Sequence, residues 1–155
     1  MTEPTFGHAW SSSDRELFTS RLMEDTRRER AFAAFSDPSQ LARWWGPNGF
    51  TNTFQEFDLR PGGSWRFIMH GPDGAQYPNH SEFVQVAPPE RVVFNHVSVP
   101  QFEMTITFDE QEGGTVIGWL QRFESAEACQ RVAKFAVAAN EQNLDRLAAH
   151  VASKP

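Results

Sequence analysis

The chain has 155 residues, long enough for one compact domain that buries a core without metal or disulfide staples. Its formal net charge of -6 works against nucleic-acid binding, which draws on concentrated Lys and Arg, and its single cysteine, Cys129, cannot form an intrachain disulfide. No apolar run reaches the roughly 18 residues of a membrane-spanning helix, and the N-terminus has no basic flank leading into an apolar stretch, so the sequence predicts a cytoplasmic protein that does not insert into membranes.

Residues 1–15 are polar, contain Pro4 and Gly7 and show no period, which predicts a mobile arm in which His8 and Trp10 are incidental. From Glu16 to Met23 the apolar side chains alternate as in an edge strand, with Leu17, Thr19 and Arg21 on one face. Thr26 and Glu29 have capping-box spacing and predict a short helix over 27–35, with Arg27, Arg28 and Arg30 on its solvated side. Asp37, Pro38 and Gln40 form a second start signal, for a helix over 38–45.

Six strand candidates follow at 50–58, 64–70, 76–86, 91–97, 101–109 and 115–123, each gap carrying Gly, Pro or Asp turn chemistry. Such short connections exclude parallel crossovers, so these strands form an antiparallel meander. From Ala126 to Ala152, Val132, Phe135, Ala136, Ala139, Asn143, Leu144, Leu147 and Val151 recur at helical spacing on one long helix. No repeat, linker or low-complexity segment interrupts residues 16–152, which read as a single domain.

With 14 Phe and 5 Trp against 1 Tyr, the aromatic load must fill a core or line a pocket. A two-residue turn at Gly113-Gly114 pairs Phe108 with Trp119, Ile106 with Gln121 and Met104 with Phe123. The turn at Pro88-Pro89 sets Phe83 beside Phe94 and Ser81 beside His96. Trp65, Phe67 and Met69 share a face in the strand after Gly63, and a centred hairpin opposes His80 to Phe67 and His70 to Tyr77. His96 and Gln121 are thus polar residues on the apolar face, where each needs a hydrogen-bond partner from the protein or from a ligand.

Several motifs carry a family resemblance: Asp37-Pro38 through Trp44-Trp45, Asp58-Leu59-Arg60-Pro61-Gly62-Gly63-Ser64-Trp65, Gly71-Pro72-Asp73-Gly74, Pro88-Pro89-Glu90-Arg91 and Gly114-Thr115. Across roughly residues 16–152 the chain resembles the START-like, or Bet v 1-like (SRPBCC), superfamily, in the branch of the activator of Hsp90 ATPase C-terminal domain and its bacterial homologues. The resemblance implies an α+β helix-grip fold: a seven-stranded curved antiparallel sheet around a long C-terminal helix, with two short helices after strand 1. It also implies a cavity between sheet and helix for apolar molecules, but no shared reaction. Ser81 departs from the Gly common at its position and narrows that space. The eukaryotic activator's additional N-terminal domain has no counterpart in this sequence, so a chaperone partner is an alternative without support of its own.

The leading expectation is binding of a small apolar or aromatic molecule by Trp65, Phe67, Met69, Phe83, Phe94, Met104, Trp119 and Phe135, oriented by His96, Ser81 and Gln121. The alternatives are a chaperone-associated interaction domain and a cyclase-like or hydrolase-like enzyme using His96, His80 or Glu82 as acid or base. No metal ligand set or cofactor motif is expected, Cys129 reads as a packing residue, and an edge strand offers a route to a homodimer.

Overall fold

A computed structural model describes residues 14–152. β1 (Glu16–Glu24) leads into two short helices, α1 (Arg28–Ser36) and α2 (Pro38–Trp44). Six strands follow: β2 (Thr51–Phe57), β3 (Ser64–His70), β4 (Gln76–Ala87), β5 (Arg91–His96), β6 (Phe102–Gln111) and β7 (Gly114–Phe123). The long helix α3 (Ala126–Ala152) comes last. The strands form one seven-stranded sheet in the order β1-β7-β6-β5-β4-β3-β2, antiparallel at every ladder, as the helix-grip expectation requires. No helix among the described residues is long and apolar enough to cross a membrane. His8 and Trp10 lie outside them.

The sheet owes part of its curvature to two bulges, Gln55 in β2 and Val84 in β4, each an extra residue that bends its strand. Its concave face grips α3, whose 27 residues span about 40 Å. The C-terminal half of α3 packs tightly, with Asn143, Leu144, Leu147 and Val151 all buried. The N-terminal half presents smaller groups, Val132, Ala136 and Ala139, and Phe135 is 70% exposed instead of joining the buried stripe. Thr19 and Arg21 of β1 reach α3 as their shared face predicts: Thr19 Oγ1 donates to Glu141 at 2.6 Å, and Arg21 pairs with Glu141 at 2.8 Å and Asp145 at 2.7 Å.

Four local expectations are corrected. The capping box does not form: Thr26 Oγ1 donates to the Glu24 carbonyl while the Thr26 carbonyl accepts from Thr115 Oγ1, so Arg27 stands at the helix start with no side-chain cap. Arg30 is not on a solvated face, because it donates to Gln40 at 2.9 Å and to the His150 carbonyl at 3.2 Å, tying α1 to α2 and α3. The β6–β7 turn is Glu112-Gly113, which shifts the register by two and pairs Met104 with Gln121 and Ile106 with Trp119 while keeping every face. Gly114 is a glycine for another reason: a Cβ there would lie 2.1 Å from the Met23 carbonyl oxygen of β1. In β3–β4 the loop is one residue shorter than a centred hairpin assumes, so Phe67 opposes Asn79, Arg66 opposes His80 and His70 opposes Gln76.

The segment between α2 and β2 is fixed by an uncommon set of donors. Asp37 caps α2 as the sequence predicts, accepting from Ser39 N at 3.0 Å and Ser39 Oγ at 2.8 Å. At the other end, the carbonyls of residues 42–47 all accept from side chains. Asn52 serves Ala42 and Trp45, Asn143 serves Trp44, and Arg146 serves Arg43, Trp45, Gly46 and Pro47 at 2.8–3.2 Å. Arg146 also donates to Phe50. Those of residues 42–44 are orphan carbonyls of the helix end, where partial negative charge gathers and a cation is stabilising, and those of 45–47 belong to the loop that follows. Replacing Arg146 with Ala should lower unfolding stability by about 2–3 kcal/mol in urea titration, and Arg146→Lys should recover less than half of the loss because an ammonium cannot span the same carbonyls. A change below about 0.5 kcal/mol in the alanine variant would show that the loop holds without it.

Candidate functional site

Between the concave face and the N-terminal half of α3 lies a cavity of about 200 Å³. β3 contributes Trp65, Phe67 and Met69, since alternate residues of a strand share a face; β4 contributes Asn79 and Ser81; β5 contributes Phe94 and His96. Phe102, Gln121 and Phe123 come from β6 and β7, Pro100 from the β5–β6 turn, and Val132, Phe135, Ala136, Ala139 and Asn140 from α3. Trp45 closes the end nearest α2, its ring 5.0 Å from Trp65, 6.1 Å from Phe94 and 5.5 Å from Trp119. Its position depends on the carbonyl cluster above and on Gly46, whose φ of +102° is one that side-chain-bearing residues rarely adopt.

Of the residues expected at the site, Trp65, Phe67, Met69, Ser81, Phe94, His96, Gln121 and Phe135 line the cavity. Phe83, Met104 and Trp119 are buried in the core and do not line it. Phe135 stands at the mouth. Sequence reasoning missed Trp45, Asn79, Pro100, Phe102, Phe123 and Asn140. Asn79 was accessible from strand alternation with Ser81 and Phe83, and Asn140 from its four-residue step beyond Ala136. Beyond Pro100, Phe123 and Val132 the cavity adjoins an outer groove of about 270 Å³ bounded by Val99, Gln101, Glu124, Ala128 and Arg131.

Residues 25–152 match the family model described as Activator of Hsp90 ATPase homolog 1-like protein. The chain belongs to that family, within the SRPBCC or Bet v 1-like superfamily. No curated protein matches its sequence. Among solved structures, a protein from Arthrobacter aurescens is 23% identical with a TM-score of 0.82, over 90% of this chain and 87% of that one. A Rhodobacter sphaeroides protein is 24% identical with a TM-score of 0.81, over 90% and 94%. One from Mycobacterium smegmatis is 27% identical with a TM-score of 0.74, over 89% and 88%. These likenesses are to the fold.

Within this family member's cavity, the polar groups form two networks. Asn140 joins its Nδ2 to Gln121 Oε1 at 3.0 Å and accepts from Trp119 Nε1 at 3.3 Å. His96, 8% exposed, stacks on Phe102 with ring centres 4.7 Å apart. Its Nδ1 donates to the Pro100 carbonyl at 2.8 Å; on the neutral ring Nε2 is then an acceptor, which takes a hydrogen bond from Ser98 Oγ at 3.4 Å and gives none to Asn79 Oδ1, 2.6 Å away. Asn79 Nδ2 donates to the Tyr77 carbonyl at 2.7 Å, which holds the amide in place. Burial pushes the His96 pKa below its ordinary value, outweighing the carbonyl contact that favours the charged ring. Cys129 is buried and its pKa is raised, chiefly by burial, so it packs as a thiol. His80 and Glu82 lie on the opposite face of β4 from the cavity-lining Ser81.

A histidine with a depressed native pKa stabilises the fold fully above its unfolded pKa, and that stability is lost as pH falls through the native value. His150 is shifted in the same direction, by burial first and then by Arg30 and Arg43. The thermal midpoint should therefore fall between about pH 7 and about pH 5. His96→Gln should flatten part of that fall and His150→Gln another part. Scanning calorimetry across this range checks it, and an unchanged slope in His96→Gln would remove His96 as a contributor.

Proposed function

We propose that the chain binds a small apolar or aromatic molecule in the cavity between the sheet and α3. The observation that carries this reading is the cavity itself, walled by Trp45, Trp65, Phe67 and Phe94 and left open where α3 carries alanines. A void of about 150 Å³ lined by apolar side chains holds benzene. The 200 Å³ here therefore suits a single ring, and the adjoining groove suits a short substituent. Aromatic walls give such a ligand large contact area from few rotatable bonds.

Native mass spectrometry of freshly purified protein should show a defined added mass, and solvent extraction should release it. Indole or toluene added to the stripped protein should raise the thermal midpoint by a few degrees. Ala139→Phe, which fills the cavity from the helix side, should abolish that rise without loss of fold. A clean mass together with no response to either compound would defeat the reading.

The family description and two exposed apolar side chains at the mouth, Val99 at 90% and Phe135 at 70%, favour a second reading in which a protein partner covers this end. Under it, the chain should increase ATP hydrolysis by recombinant Hsp90, and Val99→Ser with Phe135→Ser should cancel the increase. No stimulation and no co-elution would remove it.

A further inference from the structure

The hydrogen-bonding groups around the cavity are unbalanced. Two of its amide oxygens already accept, Asn140 Oδ1 from Trp119 and Gln121 Oε1 from Asn140, while Asn79 Oδ1 faces the unprotonated Nε2 of His96. The Pro100 carbonyl accepts from His96. The donors are not matched in the same way. Trp65 Nε1, on a side chain 0% exposed, and Ser81 Oγ, on one 1% exposed, have no hydrogen-bond partner, and both residues line the cavity. Gln121 has its oxygen engaged by Asn140, while its Nε2 makes no hydrogen bond among the described residues. An indole N–H can only donate, and an amide nitrogen likewise, so Trp65 Nε1 and Gln121 Nε2 both call for an acceptor, and the Ser81 hydroxyl can donate to one as well.

A buried donor without an acceptor costs about 1–3 kcal/mol, and Trp65 Nε1 and Ser81 Oγ are closed to water in the ligand-free protein. What relieves them must arrive with the apolar body that fills the space. We infer that the ligand of this cavity carries a hydrogen-bond acceptor, as an aryl ketone, aldehyde or quinone does, and that Trp65, Ser81 and Gln121 select it. This rests on the cavity-binding reading above and adds the chemical class of the ligand.

The test compares two compounds with equal numbers of heavy atoms, acetophenone and isopropylbenzene, titrated into protein labelled with ¹⁵N. Acetophenone should move the Trp65 indole N–H resonance downfield, as a new hydrogen bond does, and isopropylbenzene should not. Ser81→Ala and Gln121→Met should each weaken acetophenone about three- to tenfold and leave isopropylbenzene within about twofold, which also shows that the cavity of each variant is intact. If both compounds bind and neither substitution changes their ratio, the acceptor preference is wrong while cavity binding stands. If neither compound binds the wild type, the cavity reading fails and this inference with it.

Discussion

Six consecutive carbonyls, residues 42–47 at the end of α2 and in the loop after it, take hydrogen bonds from side chains, and the architecture of the site follows from where those donors come from. A helix of seven residues cannot satisfy its own C-terminal oxygens, and the loop that follows offers few amides aimed back at them. Asn52 from β2 and Asn143 and Arg146 from α3 supply the hydrogen bonds. Because these side chains belong to elements far apart in sequence, the loop becomes a clasp between the far edge of the sheet and the long helix. Burial lowers the Arg146 pKa, yet a guanidinium remains charged and holds its fork of donors.

That clasp sets where Trp45 stands, and Trp45 sets where the cavity ends. On the α2 side of it, Phe35, Trp44 and Trp119 make a continuous aromatic core, with Phe35 6.1 Å and Trp44 5.6 Å from the Trp45 ring. On the other side, α3 carries Ala136 and Ala139 where a longer residue would reach the sheet. The same helix joins the main core along its C-terminal half, while its N-terminal half meets the sheet through Cys129 and Ala136 against Leu17 and Phe123 and leaves the cavity beside that contact. The ion pairs from Arg21 to Glu141 and Asp145 sit near the changeover and fix the height of the helix over β1.

Much of this was legible in the sequence, for identifiable reasons. Strand alternation and turn chemistry located the strands, Asp37 announced α2, and the pair Phe83 and Phe94 fixed the β4–β5 register on which the inward face of His96 depends. Arg146 was not legible, because an arginine on a helix facing loop carbonyls has the same local pattern as one facing water. Thr26 had the spacing of a cap, but chain reversal after β1, with Asp25 at φ 55°, turned its side chain back to Glu24. Register failed by one residue in β3–β4 because the Gly71 amide closes onto the Ala75 carbonyl, a tighter loop than symmetry suggests, and that slip hid Asn79. The split of the aromatic residues into wall and core was likewise invisible, since Phe83, Met104 and Trp119 share the face of Trp65 and differ only in how close α3 comes to them.

The polar residues inside the cavity obey a constraint that apolar packing alone does not impose. Asn140 fastens Gln121 Oε1 and Trp119, and His96 is braced by Pro100 and by stacking on Phe102. Both arrangements immobilise polar side chains at the boundary between core and void. Trp65 Nε1 and Ser81 Oγ are different, because no protein group pairs with either. A protein selected only for stability would lose nothing by placing Phe and Ala there, and would remove two uncompensated donors. Their presence beside an open volume is the physical ground for the proposal that the cavity recognises a ligand.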